Sequence, residues 1–165
     1  MADFKPAVEK ILVYEGGYVN DPADYGGETN MGISKRQYPN LDIKALDKES
    51  VIGIYYRDYW CKFQGDKLTS QAVAEELMDS AVNMGWKRAG EFLQEALNLL
   101  ADTGLLVDGL VGQKTIDAAN AYKYSGALVK VLNGLQFERY REIIERDPTQ
   151  RKFFRSWLAR VEFNA

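Results

Sequence analysis

Residues 15–33 read Glu15-Gly16-Gly17-Tyr18-Val19-Asn20-Asp21-Pro22-Ala23-Asp24-Tyr25-Gly26-Gly27-Glu28-Thr29-Asn30-Met31-Gly32-Ile33. Just upstream, Phe4, Val8, Ile11 and Leu12 recur at helical spacing, with Asp3 placed as N-cap and Pro6 in the first turn. Gly16-Gly17 end that helix, and the Gly-, Asn- and Asp-rich run after it suits turns and at most a short hairpin. One carboxylate, Glu15, therefore closes an apolar helix, and Asp21, Asp24 and Thr29 follow on the loop. A carboxylate at a helix C-terminus meets the negative end of the dipole, and packing against Ile11 and Tyr18 would desolvate it. Both effects raise its pKa. An acid kept protonated near neutral pH, beside a second carboxylate and a hydroxyl, is what hydrolysis of a glycosidic bond requires. The plainer reading is an exposed helix end, an Asx-turn at Asn20-Asp21-Pro22 and a positive-φ turn at Gly26-Gly27.

Outward from that stretch, apolar residues keep helical spacing almost everywhere. Ser34 is placed to cap a short helix that stops before Pro39. Asp47 caps a helix over 48–62, with Val51, Ile54, Tyr55, Tyr59 and Trp60 inward. Ser70 caps another over 71–84, with Val73, Leu77, Ala81 and Met84 inward and Gly85 as its stop. Further helices are expected over 87–100, 113–122, 127–145 and 148–163, the last anchored by Phe153, Phe154, Trp157, Leu158 and Val161. Asp108-Gly109 with Gly112 is too sparse in oxygen ligands for a calcium loop and reads as a turn before a helix. There is no repeat and no long strand pattern. The expected class is mainly α, with the Gly-rich loop or a small β-hairpin beside a cleft. A soft boundary lies near 90–100, with both halves packed together.

Composition removes rival chemistries. The 165-residue chain has no His and one Cys, so Ser-His-Asp and Cys-His nucleophiles, His-ligated zinc and intrachain disulfides are excluded. Cys61, after Tyr59-Trp60, reads as a packed small apolar residue. No metal or cofactor is expected. The net charge of −3 argues against a nucleic-acid partner. Residues 130–165 nevertheless hold eight Lys/Arg against five Asp/Glu, a surplus that suits an anionic polymer or, more plainly, a solvated helix face.

The pattern Glu-Gly-Gly-Tyr-Val-Asn-Asp-Pro-x-Asp-x-Gly-Gly-x-Thr-x-x-Gly-Ile resembles the signature of glycoside hydrolase family 108, N-acetylmuramidases of the lysozyme superfamily that include phage endolysins and secretion-activator-like proteins. Leu77-Met78-Asp79-Ser80-Ala81-Val82-Asn83-Met84-Gly85 is similar to the family's second motif, and the aromatic helix from Tyr55 to Trp60 fits. Leu93-Gln94-Glu95-Ala96-Leu97 and Asp108-Gly109-Leu110-Val111-Gly112-Gln113-Lys114-Thr115 resemble its C-terminal peptidoglycan-binding-type region. The resemblance implies a lysozyme-like helical fold, a catalytic region over 1–90 and a helical wall-binding region over 91–165 packed against it. It implies cleavage of the β-1,4 bond between N-acetylmuramic acid and N-acetylglucosamine, with Glu15 as general acid.

Phage-type lysozymes of that superfamily order a Glu, an Asp nine residues on, then Thr, Gly and Ile. Glu15, Asp24, Thr29, Gly32 and Ile33 echo this, with the Thr one residue nearer. Asp24 and Thr29 thus join Glu15 as catalytic candidates, with Asp21 as the alternative second carboxylate. Asn20, Asp21, Tyr59, Asp79 and Asn83 are substrate-binding candidates. Asp79 and Asn83 share a helix face at i and i+4, where they either bind sugar substituents or satisfy loop backbone groups. A lytic transglycosylase, and a non-catalytic wall-binding or secretion-assisting protein, are the competing expectations. The partner expected is the peptidoglycan glycan strand, for a monomer without membrane insertion. The start Met-Ala-Asp-Phe-Lys-Pro lacks a signal peptide's basic and apolar regions, and no run of membrane-spanning length exists. The expectation is synthesis in the cytoplasm and action on the wall after release or non-standard export.

Overall fold

The computed structural model describes residues 1–14, 17–20 and 27–161. Among them the helices are α1 (Phe4–Tyr14), α2 (Lys48–Asp58), α3 (Gln71–Met84), α4 (Trp86–Ala101), α5 (Gln113–Ala121), α6 (Ser125–Arg146) and α7 (Arg151–Leu158). Three short strands, β1 (Val19–Asn20), β2 (Glu28–Asn30) and β3 (Ile33–Ser34), form one antiparallel sheet in the order β1-β2-β3. The fold is mainly α and lysozyme-like, with the small β element that the loop composition allowed.

Local chemistry sets the helix starts. Asp47 accepts the Ser50 backbone N–H at 2.8 Å and Ser70 accepts that of Val73 at 3.4 Å, each filling an orphan donor of the first turn. Gly85, at φ 89°, ends α3 and lets α4 leave at once in a new direction. Val51, Ile54 and Tyr55 point inward from α2. The following 3-10 turn, Trp60–Phe63, buries its eclipsed first and fourth residues and leaves Cys61 exposed between them. The expectation that Cys61 packs in the core is thereby corrected.

α3 is the central helix, packed against α1, α4 and α6. Leu77, Met78 and Ala81 of α3 meet Leu93 and Leu97 of α4 and Leu132 of α6 in one buried cluster that also takes in Ile11, Tyr55, Trp60 and Ile116. Each large side chain buried this way contributes roughly 1.5–3 kcal/mol. No helix among the described residues is long and apolar enough to cross a membrane.

Three expected helices differ. The one over 48–62 ends at Asp58, and Trp60–Phe63 follows as a 3-10 turn. Ser34 pairs with Thr29 in the sheet, so its hydroxyl accepts the Gln37 N–H over a single turn instead of opening a helix. The C-terminal helix is shorter than 148–163: a 3-10 turn at Pro148–Gln150 precedes α7, which stops at Leu158. Trp157 stacks on Tyr140 at 5.0 Å and Phe154 lies 6.3 Å from Phe137, but Phe153 is 40% exposed and is not an anchor. Val161, beyond the helix, is buried.

The Asp108-Gly109 turn is buttoned by Gln94. Its buried amide accepts both turn N–H groups, at 3.0 and 2.8 Å, and donates to the Asp108 carboxylate and the Leu110 carbonyl. α4 comes so close that a Cβ on Gly90 would sit 2.3 Å from the Gly109 carbonyl oxygen. Gly90→Ala is therefore expected to destabilise by about 1–3 kcal/mol through overpacking. Gly134→Ala, in the exposed interior of α6 with nothing near its Cβ position, is expected to stabilise by about 0.5–1 kcal/mol. Chemical denaturation of the two variants checks the opposite signs.

Candidate active site

The sheet is built as a bracket around the loop stretch. Val19 pairs with Thr29 and Asn20 with Glu28, which sets β1 and β2 side by side. Met31 and Gly32 make the two-residue turn into β3 with both φ values positive, at 46° and 80°, the geometry that matches strand twist. The Tyr55 hydroxyl donates to the Met31 carbonyl at 3.0 Å, tying this turn to α2. Buried Asn30 donates to the carbonyls of Ile43 (3.0 Å) and Leu46 (3.2 Å), and Ile33 has no exposed surface. A sheet too short to be stable alone is thus fastened to the core.

Of the sequence candidates, Thr29 lies mid-strand in β2, half-buried, with its hydroxyl donating to the Gly27 carbonyl at 3.4 Å. Asn20 is exposed at the end of β1. Beside it, the Tyr18 hydroxyl donates to Glu28 at 2.8 Å, which holds that phenol above its ordinary pKa. Glu15, Asp21 and Asp24 lie outside the described residues. α1, which precedes them, is fastened to α3 and the turn before it: Ala2 bonds Leu68, Asp3 bonds Gln71 and Lys10 pairs with Glu75.

Asp79 and Asn83 come together as the i, i+4 spacing requires. The Asn83 amide donates to the Asp79 carbonyl at 2.8 Å and to its carboxylate at 3.2 Å. The same carboxylate accepts from Gln136 on α6 at 2.8 Å and from Arg160 at 2.9 Å, with side-chain exposure of only 15% for Asp79 and 11% for Arg160. Asn133 donates to Glu76 one turn earlier on α3. Tyr140, which accepts from Gln136, is pushed well above its ordinary pKa by burial and by the nearby Asp79 charge. Asp79 is thus a clamp between α3 and the C-terminal elements.

Tyr59 is a core residue, 4% exposed, with its hydroxyl accepting from Gln37 at 2.6 Å and its ring against Tyr55. It has no ring face to offer a sugar, which corrects the expectation of a substrate contact. The reason is its place between Tyr55 and Trp60, both without exposed surface. Sequence reasoning also missed a lock next to it: Arg57 grips Asp58 in two places and the Tyr38 hydroxyl donates to Asp58 at 2.9 Å. Arg57 holds the Asp58 carboxyl below its usual range, and burial holds the Tyr38 phenol far above its own. No group of acidic and sulfur side chains among the described residues can hold a metal ion.

The family model described as Glycosyl hydrolase 108 matches residues 8–85, and the one described as "Predicted Peptidoglycan domain" matches residues 88–162. The solved structure of SagA from Brucella abortus is similar at 30% identity and a TM-score of 0.77, covering 96% of this chain and 88% of that one. The chain belongs to the glycosyl hydrolase 108 family. It is a glycoside hydrolase with a peptidoglycan-binding-type second half. A comparison with curated proteins gives no match. In this glycosyl hydrolase, Glu15, the loop carboxylates, the sheet and the Asp79-Asn83 turn of α3 all fall in the first matched segment, whereas Gln136 and Arg160, which hold Asp79, fall in the second.

Proposed function

We propose that the protein is an N-acetylmuramidase, hydrolysing the β-1,4 bond between N-acetylmuramic acid and N-acetylglucosamine of peptidoglycan. The observation that carries this reading is the Glu15-to-Ile33 stretch, which combines an acid at a helix end with two loop carboxylates inside the segment matched by the glycosyl hydrolase family. Protonated Glu15 gives its proton to the departing oxygen. Asp24 or Asp21 takes a proton from the attacking water. The Thr29 hydroxyl spends its hydrogen on the Gly27 carbonyl, which leaves its lone pairs to orient that water. A water held between carboxylate and sugar fits inversion, for which the two carboxyl groups stand roughly 6.5–9.5 Å apart, against about 5–5.5 Å for retention. The half matched as a peptidoglycan domain holds the wall while the first half cuts it.

Mass spectrometry of muropeptides released from purified peptidoglycan tests the reading. Reducing muramic ends are expected. Anhydro-muramic ends would make the protein a lytic transglycosylase, and wall binding without released ends would make it a non-catalytic binder. Between Asp24→Asn and Asp21→Asn, one is expected to lose about 10²-fold or more in rate. Full activity in both would remove the second carboxylate from the mechanism.

A further inference from the structure

A groove of about 390 Å³ opens where the two matched segments meet. The end of α3 gives it Asn83 and Met84, the first two turns of α4 give Lys87, Arg88 and Glu91, and α6 gives Arg139 and Ile143. Its volume falls in the roughly 300–1,000 Å³ range of small-ligand sites. The C-terminus of α3 and the N-terminus of α4 meet at Gly85, so their dipoles offset one another there and the side chains decide the local sign. That sign is positive among the described residues, with three cations against one acid in the lining.

Arg88 spends one terminal nitrogen on Glu91 at 2.6 Å, and Arg139 one on Glu142 at 2.9 Å. A guanidinium carries five N–H donors, so both arginines keep donors for a second carboxylate, and these pairs fix their orientation. Lys87 is exposed, and its charge also helps to hold the Asp108 carboxyl below its usual range. No aromatic ring among the described residues lines the groove, which argues against a sugar plane as its occupant. Met84 and Ile143 supply small apolar patches between the cations. Carboxylates alternating with alanine methyl groups are the chemistry of the peptide stems that hang from muramic acid.

We propose that this groove is a subsite for the anionic peptide stem of peptidoglycan, adjoining the α3 turn that carries Asn83. The inference rests on the muramidase reading above, because the stem is presented by the strand that the first half would cut. Charge complementarity selects the occupant: the stem's free carboxylates meet Lys87, Arg88 and Arg139, and its methyl groups meet Met84 and Ile143.

The test is an NMR titration of the full chain with the tetrapeptide N-acetyl-L-alanyl-γ-D-glutamyl-L-lysyl-D-alanine, net anionic because its N-terminus is acylated as in the wall, beside the same peptide with its carboxyls amidated. Amide resonances of Asn83, Met84, Lys87 and Arg88 are expected to move with the acidic peptide. The amidated peptide should bind at least about tenfold more weakly, as should the acidic peptide to Lys87→Glu or Arg139→Gln. Equal binding of the two peptides to the unmodified protein, or an absence of shifts in the groove at millimolar peptide, overturns the proposal even if a variant fails to fold. Release of reducing muramic ends from intact, stem-bearing peptidoglycan is measured in parallel. Failure there removes the muramidase reading, while the titration still decides the groove.

Discussion

Glu15→Gln will abolish the release of reducing ends from peptidoglycan. Gln keeps the volume and hydrogen-bonding reach of the side chain but has no proton to give. General acid catalysis is worth about 10²–10⁴-fold, so residual activity should fall at least that far. Stability should hold, because the amide keeps the side chain's volume and removes only a charge. Clearing of a wall suspension at the unmodified rate would dismiss Glu15 as the acid. Loss of activity together with a much lower melting temperature would mean that the variant had unfolded, and circular dichroism on the same sample separates the two.

The second large effect belongs to Arg160. It lies 81 residues from Asp79 in sequence, and the pair is mostly hidden from water. Removing one partner of such a pair leaves a charge with little solvent, at a cost of about 3–5 kcal/mol. For a chain of this size that corresponds to a melting midpoint lower by roughly 6 °C or more. Arg160→Ala is expected to show this loss. The double variant Arg160→Met with Asp79→Leu should lose clearly less than the two single changes summed, since a well-packed apolar replacement avoids stranding a charge. Thermal melts of the full cycle decide this. If Asp79→Asn leaves the midpoint unchanged and raises KM on peptidoglycan, Asp79 touches substrate and the clamp is secondary.

What was legible in the sequence was what depends on neighbours a few residues away. Asp47, Ser70 and Gly85 end up as the caps their types and positions indicate, because a cap is satisfied within its own first or last turn. The sheet was legible only as a hairpin at most. Strands of two or three residues show no period, and the bonds that steady them run from Asn30 to Ile43 and Leu46 and from Tyr55 to Met31. The C-terminal helix was drawn too long because Trp157, Leu158 and Val161 keep helical spacing past the point where the helix stops. Spacing alone joined Asp79 to Asn83, but nothing in it indicates Gln136, 57 residues away, or Arg160. An aromatic residue such as Tyr59 reads alike on a cleft wall and in a core, so only its burial places it in the core. Glu15, Asp21 and Asp24 stand out in the sequence by their order and spacing alone.

The two matched segments are sewn together at more than one place. Gln64 donates to the Val111 carbonyl, Asn120 bonds Lys67 and Thr69, Asp79 is held from Gln136 and Arg160, and the buried faces of α3, α4 and α6 interlock. Recombination that exchanges the second segment for that of a distant relative would therefore mate unmatched seams. A chimaera should become soluble only when α3 and the residues at 64–69 travel with the incoming partner.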